Sequence, residues 1–591
     1  MCYRLLLLLA ILTSFAACKT DPAPAAGPYS PPPLSEVEFK YQGEEVRIGL
    51  PIKPDNLNPL LTTSRVGRYV NDLIFQRLNG QDPETLEPIP ALASLPDTRR
   101  ESNGSVSYAY VLNEEATWPN GLPVTAADVV FSLKLALNPL VGGGAYRPYL
   151  ESVSNVVTSP ADERRFRVVT DKPYLLAQES IGDLVIYPEY VYDPEYVLRG
   201  LRMSDLANEA KAERLVENNE EVKAFSEAFN ELATSRKPED LVGSGPYAFA
   251  SWENDQEIVL ERRDDYWAED TRSSLLQAGA SGVTFKMIDD ETAMANALRD
   301  ELIDVVVNLG VDQFKTLREE PFLLDRYEFT TVPSNKYFGI LFNQQHPLFR
   351  DVATRRALAK LVDVDALIEQ LFPGGLATRV VGPVLPAKSY YNDDLSLIDY
   401  DPQAAAEELT AAGWQDSNGD GTVDRDIDGE RQELAVDFLI FPSPTSEAVG
   451  TLVAEWAAEA GVKINVVTKE PRALYGDLNK GDFAMSILGQ GFSPTADDFT
   501  QSWASDAVPP NGTNRGGFAD KEADRLMDKI RVTLDADERE PLYRRLQEII
   551  YANQPMVFLF SPQERLVVSR RLKYTPSAVA PNVLLNTLTA R

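Results

Sequence analysis

The side chains that most often carry covalent or metal chemistry are scarce in this 591-residue chain. Its two cysteines are Cys2 and Cys18, both close to the N-terminus, and its one histidine is His346. A Ser-His-Asp triad would have to use His346, and the chain has no Gly-x-Ser-x-Gly nucleophile elbow. The composition therefore disfavours a Ser-based hydrolase, a Cys-based zinc site and a His-rich metal site.

One acidic turn has oxygen ligands at the spacing of a calcium loop. The sequence Asp-Ser-Asn-Gly-Asp-Gly at 416–421 satisfies positions 1, 3, 5 and 6 of an EF-hand loop. Position 12 is Ile427, where a bidentate glutamate is required. Two alternatives follow: a tight acidic hairpin turn, which is favoured, and a weak calcium site with the ligands Asp416, Asn418, Asp420 and Asp424.

The balance of charge argues against a polyanionic partner. Lys and Arg total 57 against 90 Asp and Glu, which gives a net charge of −33. Phosphates would be repelled, so nucleic acid is not an expected ligand. The hydrophobic content of 44% is ordinary for a globular protein. The length fits roughly three or four domains.

The N-terminal segment has the pattern of a signal sequence. A basic residue precedes an apolar run at 5–12, which is too short to span a bilayer as a helix. The following Phe-Ala-Ala-Cys resembles the lipobox of bacterial lipoproteins, which implies cleavage before Cys18 and lipid attachment to its sulfur. We therefore expect a signal peptide at 1–17 and a Pro-rich tether at 18–43. An ordinary secretory signal cut elsewhere is the alternative.

The best-marked local structure lies at 243–267, GSGPYAFASWENDQEIVLERRDDYW. Its Gly-Ser-Gly-Pro start predicts a tight turn, since glycine tolerates positive φ and proline fixes its own φ. The alternation that follows and the apolar run at 257–260 predict a β-hairpin. The stretch resembles the Gly-Thr-Gly-Pro-Tyr … Asn-Pro-Tyr-Trp element of the family 5 extracellular solute-binding proteins, the peptide and nickel receptors of ABC importers.

Further segments resemble the same family. The sequence at 116–131 matches its Trp-x-x-Gly-x-Pro-Val-Thr-Ala-Asp-Asp-Val motif, and Thr125 with Asp128 predicts a capping box for the following helix. The helical patterns at 352–370 and 401–414 match its Val-Arg-x-Ala-Leu and Ala-Gly-Trp motifs. The resemblance covers most of the mature chain.

The resemblance implies an α/β, two-lobed periplasmic-binding-protein fold of type II, in the large peptide-binding class. We expect lobe one at 44–332 and 555–591, with an extra subdomain at about 85–240, and lobe two at 333–554. Within the subdomain, the segment 198–239 has apolar residues at helical spacing, which predicts one or two charged surface helices.

The resemblance also implies a ligand cleft between the lobes. The candidate ligand-binding residues are Thr63, Ser64, Tyr337, Asn343, Arg472, Gly489, Gln490, Gly491, Phe492, Ser493, Asp497 and Arg515. Thr63 and Ser64 are equally consistent with a helix cap. Ser493 stands where the peptide receptors carry an aspartate for the ligand amine, so Asp497 or Asp498 would have to supply that charge. Arg472 is a possible substitute for the arginine that dipeptide receptors use for the ligand carboxylate.

These resemblances imply a lipid-anchored, substrate-binding component of an ABC importer. It would bind oligopeptides as a monomer, without a cofactor, and present them to a membrane permease on the periplasmic side or at the cell surface. The alternatives are a nickel chelate, a sugar or another small solute in the same fold, and a sensor or surface lipoprotein without a transport role.

Overall fold

A computed structural model describes residues 29–144, 146–253, 256–493 and 495–591. Its strands are β1 Val46–Leu50, β2 Asn79–Gln81, β3 Pro88–Pro90, β4 Asp97–Arg100, β5 Val106–Val111, β6 Val153–Ser159, β7 Asp162–Thr170, β8 Tyr247–Glu253, β9 Glu257–Arg262, β10 Gly282–Met287, β11 Val305–Val307, β12 Tyr327–Pro333, β13 Lys336–Phe342, β14 Ala377–Arg379, β15 Asp424–Ile427, β16 Glu430–Glu433, β17 Ala435–Ile440, β18 Lys463–Thr468, β19 Met485–Gly491, β20 Met556–Ser569, β21 Leu572–Lys573 and β22 Thr589–Ala590.

The helices alternate with these strands along most of the chain. The α-helices are α1 Arg65–Ile74, α2 Ala126–Leu137, α3 Arg147–Leu150, α4 Ala177–Gly182, α5 Glu189–Tyr192, α6 Met203–Leu206, α7 Glu209–Glu217, α8 Glu220–Glu231, α9 Glu291–Arg299, α10 Val311–Leu317, α11 Pro321–Arg326, α12 Val352–Lys360, α13 Val364–Leu371, α14 Pro402–Ala411, α15 Pro444–Ala458, α16 Pro471–Lys480, α17 Thr500–Trp503, α18 Lys521–Val532 and α19 Ala536–Asn553. Short 3-10 helices are found at Leu34–Glu36, Val197–Gly200, Leu232–Thr234, Pro238–Asp240, Pro347–Phe349 and Leu585–Thr587.

The largest sheet has twelve strands and is shared by two lobes. Its main order is β18-β17-β19-β13-β20-β11-β1-β10-β9-β8, and β12 and β14 also pair with β20. Strand β1 runs parallel to β10 and β11, and β17 runs parallel to β18 and β19. We call the half with β1 and β8 to β12 lobe one, and the half with β13, β14 and β17 to β19 lobe two.

The chain passes between the lobes at two neighbouring places. One passage joins β12 to β13, and the other lies inside β20. Strand β20 pairs with β13 of lobe two up to Phe560 and with β12 of lobe one from Gln563 onward. Because β14 of lobe two pairs with β20 as far as Pro562, the pairing changes between Pro562 and Gln563, whereas the sequence predicts a lobe boundary at residue 555. Two such adjacent passages form a hinge about which lobes can move.

Lobe one carries a four-stranded sheet of its own, in the order β4-β5-β7-β6. Helix α2 packs beside it and begins with the predicted capping box of Thr125 and Asp128. The segment predicted as one or two surface helices forms α6, α7 and α8. Helix α8 buries Val222 and Phe229 in the main hydrophobic core of lobe one. This segment is therefore part of the packed subdomain and contributes to its core.

The predicted hairpin at 243–267 forms as β8 and β9. The glycines before it have a different role from the one that the sequence suggests, because neither has a positive φ. A Cβ atom on Gly243 would lie 2.1 Å from the carbonyl oxygen of Ile74, and one on Gly245 would lie 2.6 Å from it. The two glycines are needed for the close approach of the hairpin to the end of α1.

Capping residues set the starts of two helices in lobe two. The pattern at 352–370 forms α12 and α13, and Asp363 caps the second helix by accepting a hydrogen bond from Ala366 N. Helix α15 starts at Pro444, because Ser443 provides an N-cap and proline is favourable in the first turn. Local capping residues therefore decide where both helices begin.

The described part of the predicted tether contacts lobe one. The carbonyl oxygen of Pro32 accepts a hydrogen bond of 2.9 Å from Arg570 Nη2, and Lys40 N donates one of 2.8 Å to Glu301 Oε2. Residues 29–43 are thus held along the lobe and do not form a free tether. Cys18 lies outside the described residues. Within them, no helix has both the length and the apolar character needed to cross a bilayer.

Candidate functional site

Lobe two contains a cavity of about 190 Å³ at the end of β19. Three predicted ligand-binding residues of β19 line it, namely Gly489, Gln490 and Gly491. Arg515, a fourth predicted residue, lines it from the loop before α18. Tyr475 of α16 and Trp503 of α17 supply aromatic walls. The cavity therefore brings together residues from five separate parts of the chain, namely β13, α16, β19, the segment 502–518 and the start of β20.

Strand β19 is positioned by its antiparallel pairing with β13, in which Lys336 lies opposite Gly491. The buried Tyr337 donates a hydrogen bond of 3.0 Å from its hydroxyl to Gln490 Oε1. Its ring also packs on Phe492, with 5.2 Å between the ring centroids. Tyr337 and Phe492 thus orient Gln490 at the cavity. A Cβ atom on Gly489 would lie only 2.9 Å from the Phe338 ring, so a side chain at Gly489 would require that ring to shift.

Arg515 presents a positive charge that no carboxylate neutralises within the described part of the chain. Its Nε donates a hydrogen bond of 2.8 Å to Asn479 Oδ1, and its guanidinium carbon lies 5.2 Å from the Tyr475 ring centroid. Burial lowers the pKa of Arg515 from its ordinary value, although the group stays protonated at neutral pH. An anionic or carbonyl oxygen of a ligand would accept hydrogen bonds from this guanidinium and replace those that burial has cost it.

Trp503 lines the cavity beside Arg515. Its indole Nε1 is buried and has no acceptor among the described residues. The ring is fixed by an edge contact with Phe518, at 5.8 Å between centroids. The Trp503 Nε1 atom is closed to solvent, so the lining group that favours a ligand with acceptor oxygens is the Arg515 guanidinium. A peptide backbone or a carboxylate has that chemistry.

Thr63 and Ser64 lie in lobe one and do not line this cavity. Ser64 caps α1 by accepting a hydrogen bond of 3.4 Å from Gly67 N, and the Thr63 hydroxyl donates one of 2.8 Å to Asp55 Oδ2. The contacts of Ser64 therefore agree with the helix-cap alternative. Thr63 is exposed, and its hydroxyl oxygen, which donates to Asp55, can still accept hydrogen bonds.

A buried glutamate on β20 connects this helix start to the cavity strand. Glu564 accepts hydrogen bonds from Arg65 Nη1 at 3.3 Å and Lys336 Nζ at 2.9 Å. Burial alone would raise the pKa of Glu564, but the charges of Lys336 and Arg65 hold it below its ordinary value. Since Lys336 lies opposite Gly491, this ion cluster joins both lobes at the passage of β20.

Two other predicted residues are not brought to the cavity. Asn343 donates hydrogen bonds to the carbonyl oxygens of Gly481 and Phe483, and its Oδ1 accepts one from Gln345 N. Its side chain thus stabilises the turn after β13 and links it to the chain between α16 and β19. Arg472 is exposed in the first turn of α16 and is not among the residues that line the cavity.

Asp497 and Asp498, the candidates for the charge that binds a ligand amine, are already engaged by the protein. The buried Asp497 accepts a hydrogen bond of 2.6 Å from the Tyr390 hydroxyl and lies 3.6 Å from Lys388 Nζ. Asp498 accepts one of 3.1 Å from the Tyr174 hydroxyl and lies 3.0 Å from Arg531 Nε. This geometry does not support either carboxylate as the partner of a ligand amine.

The loop that holds these aspartates also contacts the subdomain of lobe one. Ser493 Oγ donates a hydrogen bond of 2.8 Å to Glu179 Oε1, and Thr495 Oγ1 donates another to Glu179 Oε2. Lys388 Nζ donates to the carbonyl oxygens of both loop residues. We call Glu179, Ser493 and Thr495 the interlobe clasp. Ser493, predicted to bind ligand, therefore contributes to holding the lobes together in this conformation.

The Asp497 carboxyl gives a prediction about pH. Burial raises its pKa from the ordinary value of 3.8 to about 6, against the opposing effect of Lys388. A folded-state pKa above the unfolded one means that stability falls as pH rises from about 4 to about 6. Replacing Asp497 by Asn should remove this contribution, which is about 1–3 kcal/mol because one pKa unit corresponds to about 1.4 kcal/mol. Urea unfolding of both proteins between pH 4 and 7 measures it, and parallel curves would contradict the prediction.

The acidic turn at 416–421 is closed by its own hydrogen bonds. The two carboxylate oxygens of Asp416 accept from Gly419 N at 2.7 Å and Gly421 N at 3.0 Å, and Asp424 is paired with Arg431. No group of three or more potential metal ligands of the His, Cys, Asp and Glu types occurs in the ranges that the structure describes. These contacts agree with the tight-turn alternative for this segment.

The sequence alone does not single out Glu179, Lys388, Tyr475 or Trp503. Each reaches its partners through the fold, and Glu179 lies more than 300 residues before the loop that it contacts. Tyr475 and Trp503 offer the only local signal, since both are aromatic residues on either side of the glycine-rich end of β19. Aromatic residues near such a strand end are reasonable candidates for a cavity wall.

Two α/β lobes joined by two adjacent passages, with a cavity at a strand end of lobe two, have the architecture of a two-lobed solute-binding protein. The profile of the bacterial extracellular solute-binding proteins, family 5 Middle, matches residues 87–511, which is more than half of the chain. The chain belongs to this family.

Individual relatives agree with this assignment. The oligopeptide-binding protein AppA of Bacillus subtilis is 24% identical over 551 residues, which are 92% of this chain and 91% of AppA. Its solved structure in complex with a nonapeptide has a TM-score of 0.70 and covers 93% of this chain and 99% of that chain, at 22% identity. The structure of NikZ from Campylobacter jejuni in complex with Ni(L-His) also has a TM-score of 0.70, at 20% identity, and covers 93% of this chain and all of NikZ. These structures show that the fold is shared.

Proposed function

We propose that this protein is the lipid-anchored, substrate-binding component of an ABC importer, and that it binds oligopeptides between its lobes and presents them to a permease. The family provides the general role of solute binding outside the cytoplasm. AppA, with which the chain aligns over nearly its full length, is an oligopeptide-binding protein. The lipobox-like sequence before Cys18 supports the anchor.

The observation that carries the choice of ligand is the surplus of donors at the lobe-two cavity. Arg515 has guanidinium N–H groups beyond the one that bonds Asn479 and no carboxylate partner in the described ranges, and the glycines of β19 leave the strand backbone uncovered beside it. A peptide offers one carbonyl oxygen per residue and a terminal carboxylate. Extended peptides are commonly held through their backbone at such strand ends, while pockets take their side chains.

The protein's own acidity is compatible with this role. An unpaired arginine attracts a carboxylate, and its effect is local because salt screens charges beyond about 8–10 Å. The exposed acidic groups elsewhere therefore reduce the binding of an anionic peptide only weakly. We propose that ligand recognition depends on this cavity and the hinge, and that no catalytic step follows.

Isothermal titration calorimetry with peptides of two to eight residues tests the proposal. We expect saturable binding that strengthens with length up to the span of the cleft, and the peptides should be recovered intact after incubation. Ni(L-His)₂ belongs in the same series, because the structural similarity to NikZ makes a nickel chelate the second candidate. Binding of the chelate without any peptide binding would replace the oligopeptide proposal, and cleavage of peptides would contradict a pure binding role.

A further inference from the structure

A second and much larger cavity lies in the subdomain of lobe one, away from the site described above. Its volume is about 830 Å³, against about 190 Å³ for the lobe-two cavity, and the two share no lining residue. It is bounded by helix α8 on one side and by the segment 191–200 on the other. A cavity of this size is typical of a binding site for a small organic molecule.

The floor of this subdomain cavity is apolar, and its aromatic rings pack against the core of lobe one. Phe225 and Phe229 of α8 lie 6.3 Å apart between ring centroids, and Phe229 also packs on Tyr192 at 6.0 Å. Phe229 and Tyr192 belong to the buried core of lobe one. Ala224 and Ala228 line the same cavity from the exposed face of α8, where their small side chains leave space. The floor therefore suits an aryl or alkyl group.

The rim of the cavity carries only negative charge. Five acidic residues line it, and no lysine or arginine does. Asp193 uses both oxygens to accept hydrogen bonds from Val197 N and Leu198 N, and Asp240 accepts one from Ser235 Oγ. The other three are Glu195, Glu221 and Glu239, which are exposed and have no ion pair within the described part of the chain.

An aromatic residue in an unusual conformation stands at the mouth of the cavity. Tyr196 has a φ of 56°, which is uncommon for a residue with a side chain. The residue is 44% exposed, and its ring stacks against the Arg199 guanidinium, whose carbon lies 3.9 Å from the ring centroid. Arg199 in turn is paired with Glu189. The fold thus holds a large aromatic group at the opening while the nearby arginine is neutralised by its own partner.

We infer that the subdomain cavity binds a small organic cation, an amine carried on an aryl or alkyl body. The apolar part would lie on Phe225, Ala224 and Ala228, above the buried Phe229, and the ammonium group would lie between the three unpaired glutamates of the rim. An anion of the same shape would be repelled by the rim, and a neutral molecule would gain only the apolar contact. This site is separate from the proposed peptide site and does not depend on it.

Calorimetry with 4-phenylbutylamine tests the inference, with 4-phenylbutyrate and 4-phenylbutan-1-ol as probes of the same shape and different charge. None of the three contains a peptide bond, so the proposed peptide site is not addressed. We expect saturable binding of the amine, at least about tenfold weaker binding of the alcohol, and no measurable binding of the acid. Higher salt should weaken the amine complex, because its recognition is partly electrostatic.

Two variants locate the site. The triple variant Glu195→Gln, Glu221→Gln, Glu239→Gln keeps the shape of the rim and should bind the amine at least about tenfold more weakly. Ala228→Trp, at an exposed position, should fill the cavity and abolish amine binding. The circular dichroism spectra and urea unfolding midpoints of both variants should equal those of the unmodified protein, which shows that they are folded. Equal binding of all three probes, unchanged amine binding by either variant, or no amine binding at all would overturn the inference.

Discussion

Replacing Asp304 by Asn is expected to lower the free energy of unfolding by about 3–5 kcal/mol, the cost of breaking a buried ion cluster by removing one partner. Asp304 is buried before β11 and accepts hydrogen bonds from two arginines. Arg47 of β1 donates from its backbone N at 2.9 Å, from Nε at 3.0 Å and from Nη2 at 2.9 Å. Arg571, just after β20, donates from Nε at 2.8 Å and from Nη2 at 2.6 Å.

The cluster ties the first strand of lobe one to the segment that follows its last long strand. Arg571 also donates to the carbonyl oxygens of Gly43 and Glu45, and the ring of Tyr41 covers both arginines. An asparagine keeps the shape but leaves the buried Arg571 and the half-buried Arg47 without their shared counter-charge. The loss should therefore be larger than the hydrogen bonds alone would give.

The expected pH dependence of this effect has a definite sign. Burial would raise the pKa of Asp304, but hydrogen bonds and charge from Arg571 and Arg47 hold it below its ordinary value of 3.8. A depressed folded-state pKa contributes stability above the unfolded pKa, and this stability is lost as pH falls through the folded one. The difference in the free energy of unfolding between the unmodified protein and Asp304→Asn should thus be largest at pH 7 and decrease below about pH 4.

Urea unfolding followed by circular dichroism measures both effects. Asp300→Asn is the matched control, since the Asp300 side chain is 68% exposed and its nearest cation is Lys40 at 3.8 Å. Such an exposed pair contributes at most about 1 kcal/mol. A loss at Asp304 no larger than that of the control would contradict the role of the buried cluster.

Much of this fold could be predicted because it is encoded in short segments. The hairpin at 243–267, the capped helix α2 and the glycine-rich end of β19 each have local patterns of turn, cap or strand. These patterns placed the strand that lines the lobe-two cavity. Even here the reason for a glycine could not be read locally, since Gly243 and Gly245 are required by the distant carbonyl of Ile74.

The parts of the site that could not be predicted depend on contacts over long distances in sequence. Whether Asp497 faces a ligand or the core depends on Lys388 and Tyr390, more than 100 residues earlier. Ser493 could equally have met a ligand, but it meets Glu179 of the subdomain. A sequence pattern gives the type and spacing of polar groups, whereas their partners are decided by packing between lobes.

Replacing Arg515 by Ala is expected to weaken peptide binding by about tenfold to a hundredfold, the largest effect that we expect from a single residue of the cavity. Hydrogen bonds to charged groups contribute about 1.5–3 kcal/mol, and about 1.4 kcal/mol corresponds to a factor of ten in Kd. Arg515 is already fixed by Asn479 and Tyr475, so little side-chain entropy is lost when a ligand binds.

Arg472→Ala is the control that separates a specific contact from a general loss of positive charge. Both arginines are predicted ligand residues in lobe two, but only Arg515 lines the cavity. Arg472→Ala should therefore leave Kd within about twofold of the unmodified protein, in line with the small effect of distant, screened charges. Calorimetry with the tightest peptide of the length series gives both values, and a larger loss for Arg472→Ala than for Arg515→Ala would contradict the assignment.

The geometry also predicts the effect of lysine at position 515 and of an amidated peptide. Lysine at position 515 keeps the charge but lacks the planar fork that donates to two oxygens at once and stacks on an aromatic ring. Arg515→Lys should thus bind between the unmodified protein and Arg515→Ala. If the ligand group at Arg515 is the terminal carboxylate, amidating the peptide should cost the unmodified protein as much as the alanine substitution, and should cost Arg515→Ala nothing more. If it is a backbone carbonyl, amidation should affect both proteins equally.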